Sequence, residues 1–128
     1  MKKLLSLLVG TMVALVSYAG EFSDISVSEV KALAESKKAV IIDVNGSDSF
    51  KTGHVPGAVD FDAVKDKLAS VLPKDKNTLV VAYCGGPKCN AYQAAANAAA
   101  KLGYKNIKHM SAGLTGWKKA GEKLEKAS

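Results

Sequence analysis

The segment VVAYCGGPKCN, residues 80–90, holds both cysteines of a 128-residue chain. Cys84 and Cys89, so placed, admit three chemistries: a disulfide staple, a metal site, or a nucleophile with its cradle. A staple stabilises chiefly by closing a long loop of the unfolded chain, and this pair closes a very short one. As a purely structural device it is poor. Metal binding is weaker still, because His54 and His109 are the only histidines and neither stands at ligand spacing from the thiols. The third chemistry suits the surroundings. A thiol between a strand end and a helix start faces backbone N–H groups and the positive end of the helix dipole. Both favour thiolate, and such sites bring thiol pKa values to about 3.5–7.5. Gly85 and Gly86 permit the backbone angles of a curled loop with inward N–H groups, and Lys88 is the nearby positive side chain. Together these residues predict an anion cradle around a nucleophile, a cysteine-dependent transfer site.

The elements that must position this loop are legible on either side of it. Residues 78–83, TLVVAY, are apolar on both faces and predict a buried strand leading straight into Cys84. Residues 91–102 form an alanine-rich helix of high propensity, ended by Gly103. Upstream, Ser26-Val27-Ser28-Glu29 has the form of a capping box, followed by Val30, Leu33 and Ala34 at helical spacing. Residues 39–44, AVIIDV, are too short and too β-branched for a helix and predict a second buried parallel strand, turning at Asn45-Gly46. A short helical turn closed by Gly53 and a loop, HVPGAVDF, lead to a short strand at 58–61. Val64, Leu68, Val71 and Leu72 predict one helix over 63–72, stopped by Pro73. A short strand at 106–110 and a last helix packed by Trp117 and Leu124 complete the chain before a charged tail. Strands alternating with helices predict a parallel sheet with helices on both faces. Ligands of such folds bind beyond the carboxyl ends of the strands, where Cys84 stands.

The first twenty residues, MKKLLSLLVGTMVALVSYAG, read as a secretory signal peptide. Lys2 and Lys3 form the positive end, residues 4–16 the apolar stretch, and Ser17-Tyr18-Ala19 the small-x-small site before Gly20. The apolar run is shorter than the ~20 residues of a membrane span and is broken at Gly10 and Thr11. The expected layout is a signal peptide over 1–19 and a single domain over 20–128, periplasmic or secreted, with no membrane association after cleavage. The formal net charge is +6. Its lysines are scattered among acids without a basic block, a pattern that gives no case for nucleic acid.

VIIDV at 40–44, GHVPGAVDF at 53–61, VVAYC at 80–84, the alanine-rich helix ending in LGY, and SAGLTGW at 111–117 carry a resemblance. The chain resembles the rhodanese (sulfurtransferase) superfamily over nearly all of the segment beyond the signal peptide. The resemblance implies a three-layer α/β sandwich with a five-stranded parallel sheet. It also implies Cys84 as the bearer of a persulfide and a following loop, Gly85, Gly86, Lys88, Cys89 and Asn90, that binds sulfur donors. Typical members carry Arg after the DV pair and Arg or Thr late in the active loop. Here those places hold Asn45 and, approximately, Cys89, and the chain contains no arginine. The loop is longer than in the short-loop enzymes and is similar to a subgroup with C-x-G-P-x-C-N. Asp43 and His54 are expected to order the loops around the site rather than to do chemistry.

Three functions compete on this basis. The leading one is a periplasmic sulfurtransferase that moves sulfane sulfur from a thiosulfate- or polysulfide-type donor, through a Cys84 persulfide, to a thiol or cyanide. It needs no metal and no organic cofactor. The second is oxyanion chemistry of the phosphatase or arsenate-reductase type. Longer loops of the superfamily suit larger oxyanions, but planar anion recognition favours the arginine this chain lacks. The third is a non-catalytic sulfur carrier or redox-sensing module. Cys89 is expected to be a regulatory or resolving thiol whose side chain points away from the cradle. On that expectation a bond to Cys84 requires the loop to reorganise.

Overall fold

A computed structural model describes residues 22–127 of the chain; the expected signal peptide, residues 1–19, lies outside them. In chain order the elements are β1 (Ser23–Asp24), α1 (Val27–Ser36), β2 (Ala39–Asp43), α2 (Ser47–Thr52), β3 (Val59–Asp60) and α3 (Phe61–Val64). A 3₁₀ turn (Lys65–Lys67), α4 (Leu68–Val71), β4 (Leu79–Tyr83), α5 (Tyr92–Lys101), β5 (Ile107–His109) and α6 (Gly113–Lys119) complete it. The strands form one sheet in the order β1-β5-β4-β2-β3, and every pairing in it is parallel. β4 is therefore central, as its two-sided apolar sequence requires.

Successive strand residues face opposite sides of a pleated sheet, and the two cores sort accordingly. Ile42, Val80 and Ala82 pack with Phe61, Leu68, Leu72 and the α5 alanines Ala95, Ala96 and Ala99. Ile41, Val81 and Tyr83 pack on the other face with Val30 of α1 and Trp117 of α6. This is the expected three-layer α/β sandwich. The alanine face of α5 has no side chain beyond Cβ, which lets it lie close against β4. α1 begins as its sequence predicts: the Ser26 hydroxyl accepts the Glu29 N–H and the Glu29 carboxylate accepts the Ser26 N–H, a complete capping box.

Several local expectations need correction. The single helix expected over 63–72 is three pieces, α3, a 3₁₀ turn and α4. Its middle, Lys65-Asp66-Lys67, is wholly exposed, so no burial rewards regular helix there, and the anchors are Phe61 and Leu68 at either end. The strand expected at 58–61 shortens to Val59–Asp60, because Asp60 caps α3 by accepting the Asp62 N–H. β1 was not foreseen; two residues show no periodicity. Leu124 does not extend the last helix, which stops at Lys119. It packs from the tail that follows, which is not a loose end. Glu125 and His54 exchange backbone hydrogen bonds of 2.9 and 2.8 Å, and the Glu125 side chain accepts the Gly57 N–H at 2.8 Å. No helix among the described residues is long and apolar enough to cross a membrane.

Candidate active site

Cys84 directly follows β4, at the carboxyl end of the central strand, and is 1% exposed. The chain then runs through Gly85 and Gly86 and doubles back at Pro87-Lys88, where the Cys89 N–H bonds the Gly86 carbonyl at 3.1 Å. Proline presets the backbone for the second position of such a turn. The turn brings the sulfurs together, and Cys84 and Cys89 are disulfide-bonded with Cα atoms 6.3 Å apart. This corrects the expectation that Cys89 points away and that a bond needs a reorganised loop. The folded loop accommodates the bond as it stands, because the Pro87 turn reverses the chain within the span a disulfide can bridge.

The seat of the loop is α6. The Cys84 carbonyl accepts the Leu114 N–H at 2.9 Å and the Gly85 carbonyl accepts the Thr115 N–H at 2.9 Å. A trans peptide unit points its C=O and N–H in opposite directions, and the described chain has no cis bond. With these two carbonyls turned to α6, the N–H groups of Gly85 and Gly86 in the same peptide units turn away from it. The two glycine N–H groups are thereby left on the side of the loop that faces away from α6. Gly113 makes the approach possible. Its φ is +62°, and a Cβ there would stand 2.6 Å from the Gly85 carbonyl carbon and the Gly86 nitrogen and 2.7 Å from the Cys84 oxygen.

Beneath the neighbouring strand end lies a buried polar relay. The Tyr83 hydroxyl donates to Asp43 Oδ2 at 2.5 Å and accepts the Val55 N–H at 3.0 Å. Asp43 Oδ1 accepts the Asn45 N–H at 2.7 Å. Burial pushes the Asp43 carboxyl above its ordinary range, against the opposing hydrogen bonds from Tyr83 and Asn45. Burial, and then the charge and hydrogen bond of Asp43, push the Tyr83 phenol far up. Asp43 therefore ties together the turn after β2 and the loop carrying Val55.

His54 has a parallel role. It is 4% exposed, its Nδ1 lies 2.7 Å from the Phe50 carbonyl, its Nε2 lies 3.5 Å from Glu125 Oε1, and its ring stacks on Phe50. Both nitrogens are thus engaged in holding the loop between α2 and the tail.

Lys88 stands exposed on the turn, and Asn90 is exposed at the end of the loop with its carbonyl bonded to the Gln93 N–H at 3.1 Å. α5 begins only at Tyr92, so the loop residues intervene between Cys84 and the helix. Among the described residues no cluster of three or more His, Cys, Asp or Glu side chains could hold a metal ion.

Sequence reasoning missed three contributors. Asn45 faces the loop: its Oδ1 is 3.6 Å from where a Gly85 Cβ would be, and its Nδ2 is buried without a hydrogen-bond partner. Tyr83 read as a core aromatic because its partners are 40 and 28 positions away. The Gly113-Leu114-Thr115 seat had one local signal, the glycine spacing in SAGLTGW.

A parallel α/β sandwich with a cysteine loop at the end of its central strand defines the structural class. Within that class, the family model described as a rhodanese-like domain matches residues 26–120, and the chain belongs to this family. Thiosulfate sulfurtransferase GlpE of Tolumonas auensis is 29% identical over 101 residues, covering 77% of this chain and 90% of that protein. Uncharacterized protein YibN of Escherichia coli K12 is 31% identical over 99 residues, 75% of this chain; the match spans 66% of YibN, just under two thirds of its length. Among solved structures, the rhodanese-like domain of Anabaena Alr3790 superposes with a TM-score of 0.65 at 22% identity, covering 81% of this chain and 79% of that one. The 3-mercaptopyruvate sulfotransferase SseA of Escherichia coli gives 0.67 at 18% identity, over 84% of this chain and 52% of its own. At these identities the structural likeness establishes the fold.

Proposed function

We propose that the chain is a rhodanese-type sulfurtransferase with Cys84 as its nucleophile. The observation that carries the reading is the placement of Cys84 at the end of β4, at the start of a loop whose Cys84 and Gly85 carbonyls are held by α6. The reduced, ionised thiol attacks the outer sulfur of thiosulfate, the sulfur–sulfur bond of the donor breaks, and sulfite leaves. The Cys84 persulfide so formed then yields its outer sulfur to a thiol or to cyanide. The Gly85 and Gly86 N–H groups stabilise the anionic sulfur without reorganising, because α6 has already set their direction. Lys88 on the exposed turn adds attraction for anionic donors. The Cys84–Cys89 bond must be opened by a thiol reductant before the cycle starts.

Similarity that spans 90% of a protein named thiosulfate sulfurtransferase and 77% of this chain supports this donor class, and the absence of arginine disfavours the phosphate-like alternative. The assay is sulfite release and thiocyanate formation from thiosulfate by the reduced protein, with inorganic polysulfide as a second donor. Cys84→Ser abolishes both products while leaving the thermal unfolding cooperative; retention of wild-type rates by that variant refutes the assignment. We further propose a periplasmic or secreted setting, on the strength of the N-terminal sequence. N-terminal sequencing of exported material then begins at Gly20, and a chain still starting at Met1 contradicts it.

A further inference from the structure

The same loop carries the means of a second reaction. We propose that Cys89 resolves the Cys84 persulfide, releasing hydrosulfide and closing the Cys84–Cys89 disulfide, so that the protein is a dithiol-dependent reductase of sulfane sulfur as well as a carrier. This rests on the reading of Cys84 as the persulfide-bearing residue.

The geometry is built in. The backbone bonds that shape the loop do not involve sulfur: Leu114 N–H to Cys84 O and Thr115 N–H to Gly85 O at 2.9 Å, and Cys89 N–H to Gly86 O at 3.1 Å. Opening the disulfide leaves them in place, so the two thiols remain neighbours in the reduced loop. Their Cα separation of 6.3 Å lies inside the range that a disulfide spans. Cys84 is 1% exposed, whereas Cys89 is half-buried against the same core cluster. An acceptor thiol from solution must reach a covered sulfur; Cys89 is already beside it, and an intramolecular thiol reacts at a far higher effective concentration.

The step balances. The Cys89 thiol loses its proton to solvent, and the thiolate attacks Sγ of Cys84 in the protonated persulfide. A new sulfur–sulfur bond forms between the cysteines, the bond from Cys84 Sγ to the outer sulfur breaks, and that sulfur departs with its proton as hydrosulfide. The sulfane sulfur is reduced to sulfide and the two cysteines are oxidised to a disulfide. A low-pKa leaving group favours this direction of exchange. A dithiol reductant, small or protein-borne, then reopens the bond and completes the cycle.

The test uses the fully reduced exported chain, freed of reductant, mixed anaerobically with one equivalent of thiosulfate. Sulfite, sulfide and intact mass are followed together. The wild type releases sulfite and then sulfide in equal amounts and ends as a disulfide, lighter than the dithiol by two hydrogens. Cys89→Ser, with Cys89→Ala as a second variant, releases sulfite, gains the mass of one sulfur atom and stops there. Sulfide from the wild type exceeds that from either variant by at least about tenfold. With polysulfide as the donor, only sulfide in excess of the variants counts.

If the variants load sulfur but the wild type also keeps its persulfide, or moves it to Cys89 without freeing sulfide, the resolving step is wrong and the carrier reading stands. If no form releases sulfite or gains sulfur with either donor, both readings fall.

Discussion

The loop after β2 and the loop after β4 leave strand ends that lie side by side, with Asp43 paired in register with Tyr83. The first is held by side chains: Asp43, Tyr83 and the N–H groups of Asn45 and Val55 form a closed, buried set of hydrogen bonds. The second is held by backbone. α6 grips the Cys84 and Gly85 carbonyls, and glycine at 113 leaves the room to do so. A side-chain relay is specific but inert, since each polar atom is committed. A backbone cradle is built without the side chains it carries, so the Cys84–Cys89 bond can open or close while the hydrogen bonds beneath it stay put. A rigid frame next to an exchangeable bond is an arrangement suited to a reactive cysteine at the end of a strand.

Disturbing the backbone cradle should have the largest effect. Gly113→Ala places a methyl group within 2.7 Å of three backbone atoms of the active loop, at a φ of +62°. None of the three belongs to a flexible side chain. The expected result is a loss on the order of 3 kcal/mol of stability, with sulfur transfer falling by orders of magnitude. Urea unfolding and thiosulfate turnover measure the two. A Gly113→Ala protein with near-wild-type turnover would show that α6 does not shape the loop.

Tyr83→Phe strikes the side-chain relay and leaves the cradle untouched. It strands the Val55 N–H and removes the donor to Asp43, at a cost of about 1–3 kcal/mol. Its pH signature separates it from a simple packing defect. Tyr83 has a folded-state pKa raised above the unfolded value near 10.0. Its contribution to stability is therefore present below that pH and is lost as pH rises above it, while the unfolded phenol ionises. The wild type should lose stability on the alkaline side more steeply than Tyr83→Phe. Asp43 behaves in the same sense at acid pH. Its raised pKa means that protonation favours the fold, and that contribution fades as pH climbs through the folded-state value. Parallel slopes for the two proteins above pH 10 would remove Tyr83 from the relay.

Lys88→Ala is the mildest change, because the side chain is exposed and shapes neither loop. KM for thiosulfate should rise severalfold at low ionic strength with kcat almost unchanged, the pattern of lost ground-state binding, and the difference should shrink as salt is added. An unchanged KM at low salt would leave donor attraction to the loop amides alone.

What could be read from the order of residues was whatever depends on near neighbours. The capping box of α1, the two-sided strands β2 and β4, the alanine helix closed by Gly103, and a cysteine at a strand end followed by glycines all show within a window of a dozen residues. Pattern there reports burial and backbone freedom directly. Asp43 and His54 have hydrogen-bond partners for the reason their positions suggest: a carboxylate at a buried strand end and a histidine beside a loop must find N–H, O–H or carbonyl groups to bond.

Tertiary structure alone decided the remainder. Whether residues 63–72 stay one helix depended on where Phe61 and Leu68 found cover. Tyr83 became a polar hub through Asp43 and Val55, which fold against it from other elements. The tail gained order by pairing Glu125 with His54. Cys89 met Cys84 because α6, arriving from about thirty residues downstream, seats the start of the loop while a proline turn folds its end back. Short-range sequence patterns encode which residues must be buried and which turns are allowed. They do not encode which distant backbone will come to lie beneath a loop, and that contact is what sets the direction of the Gly85 and Gly86 amides and the distance between the two thiols.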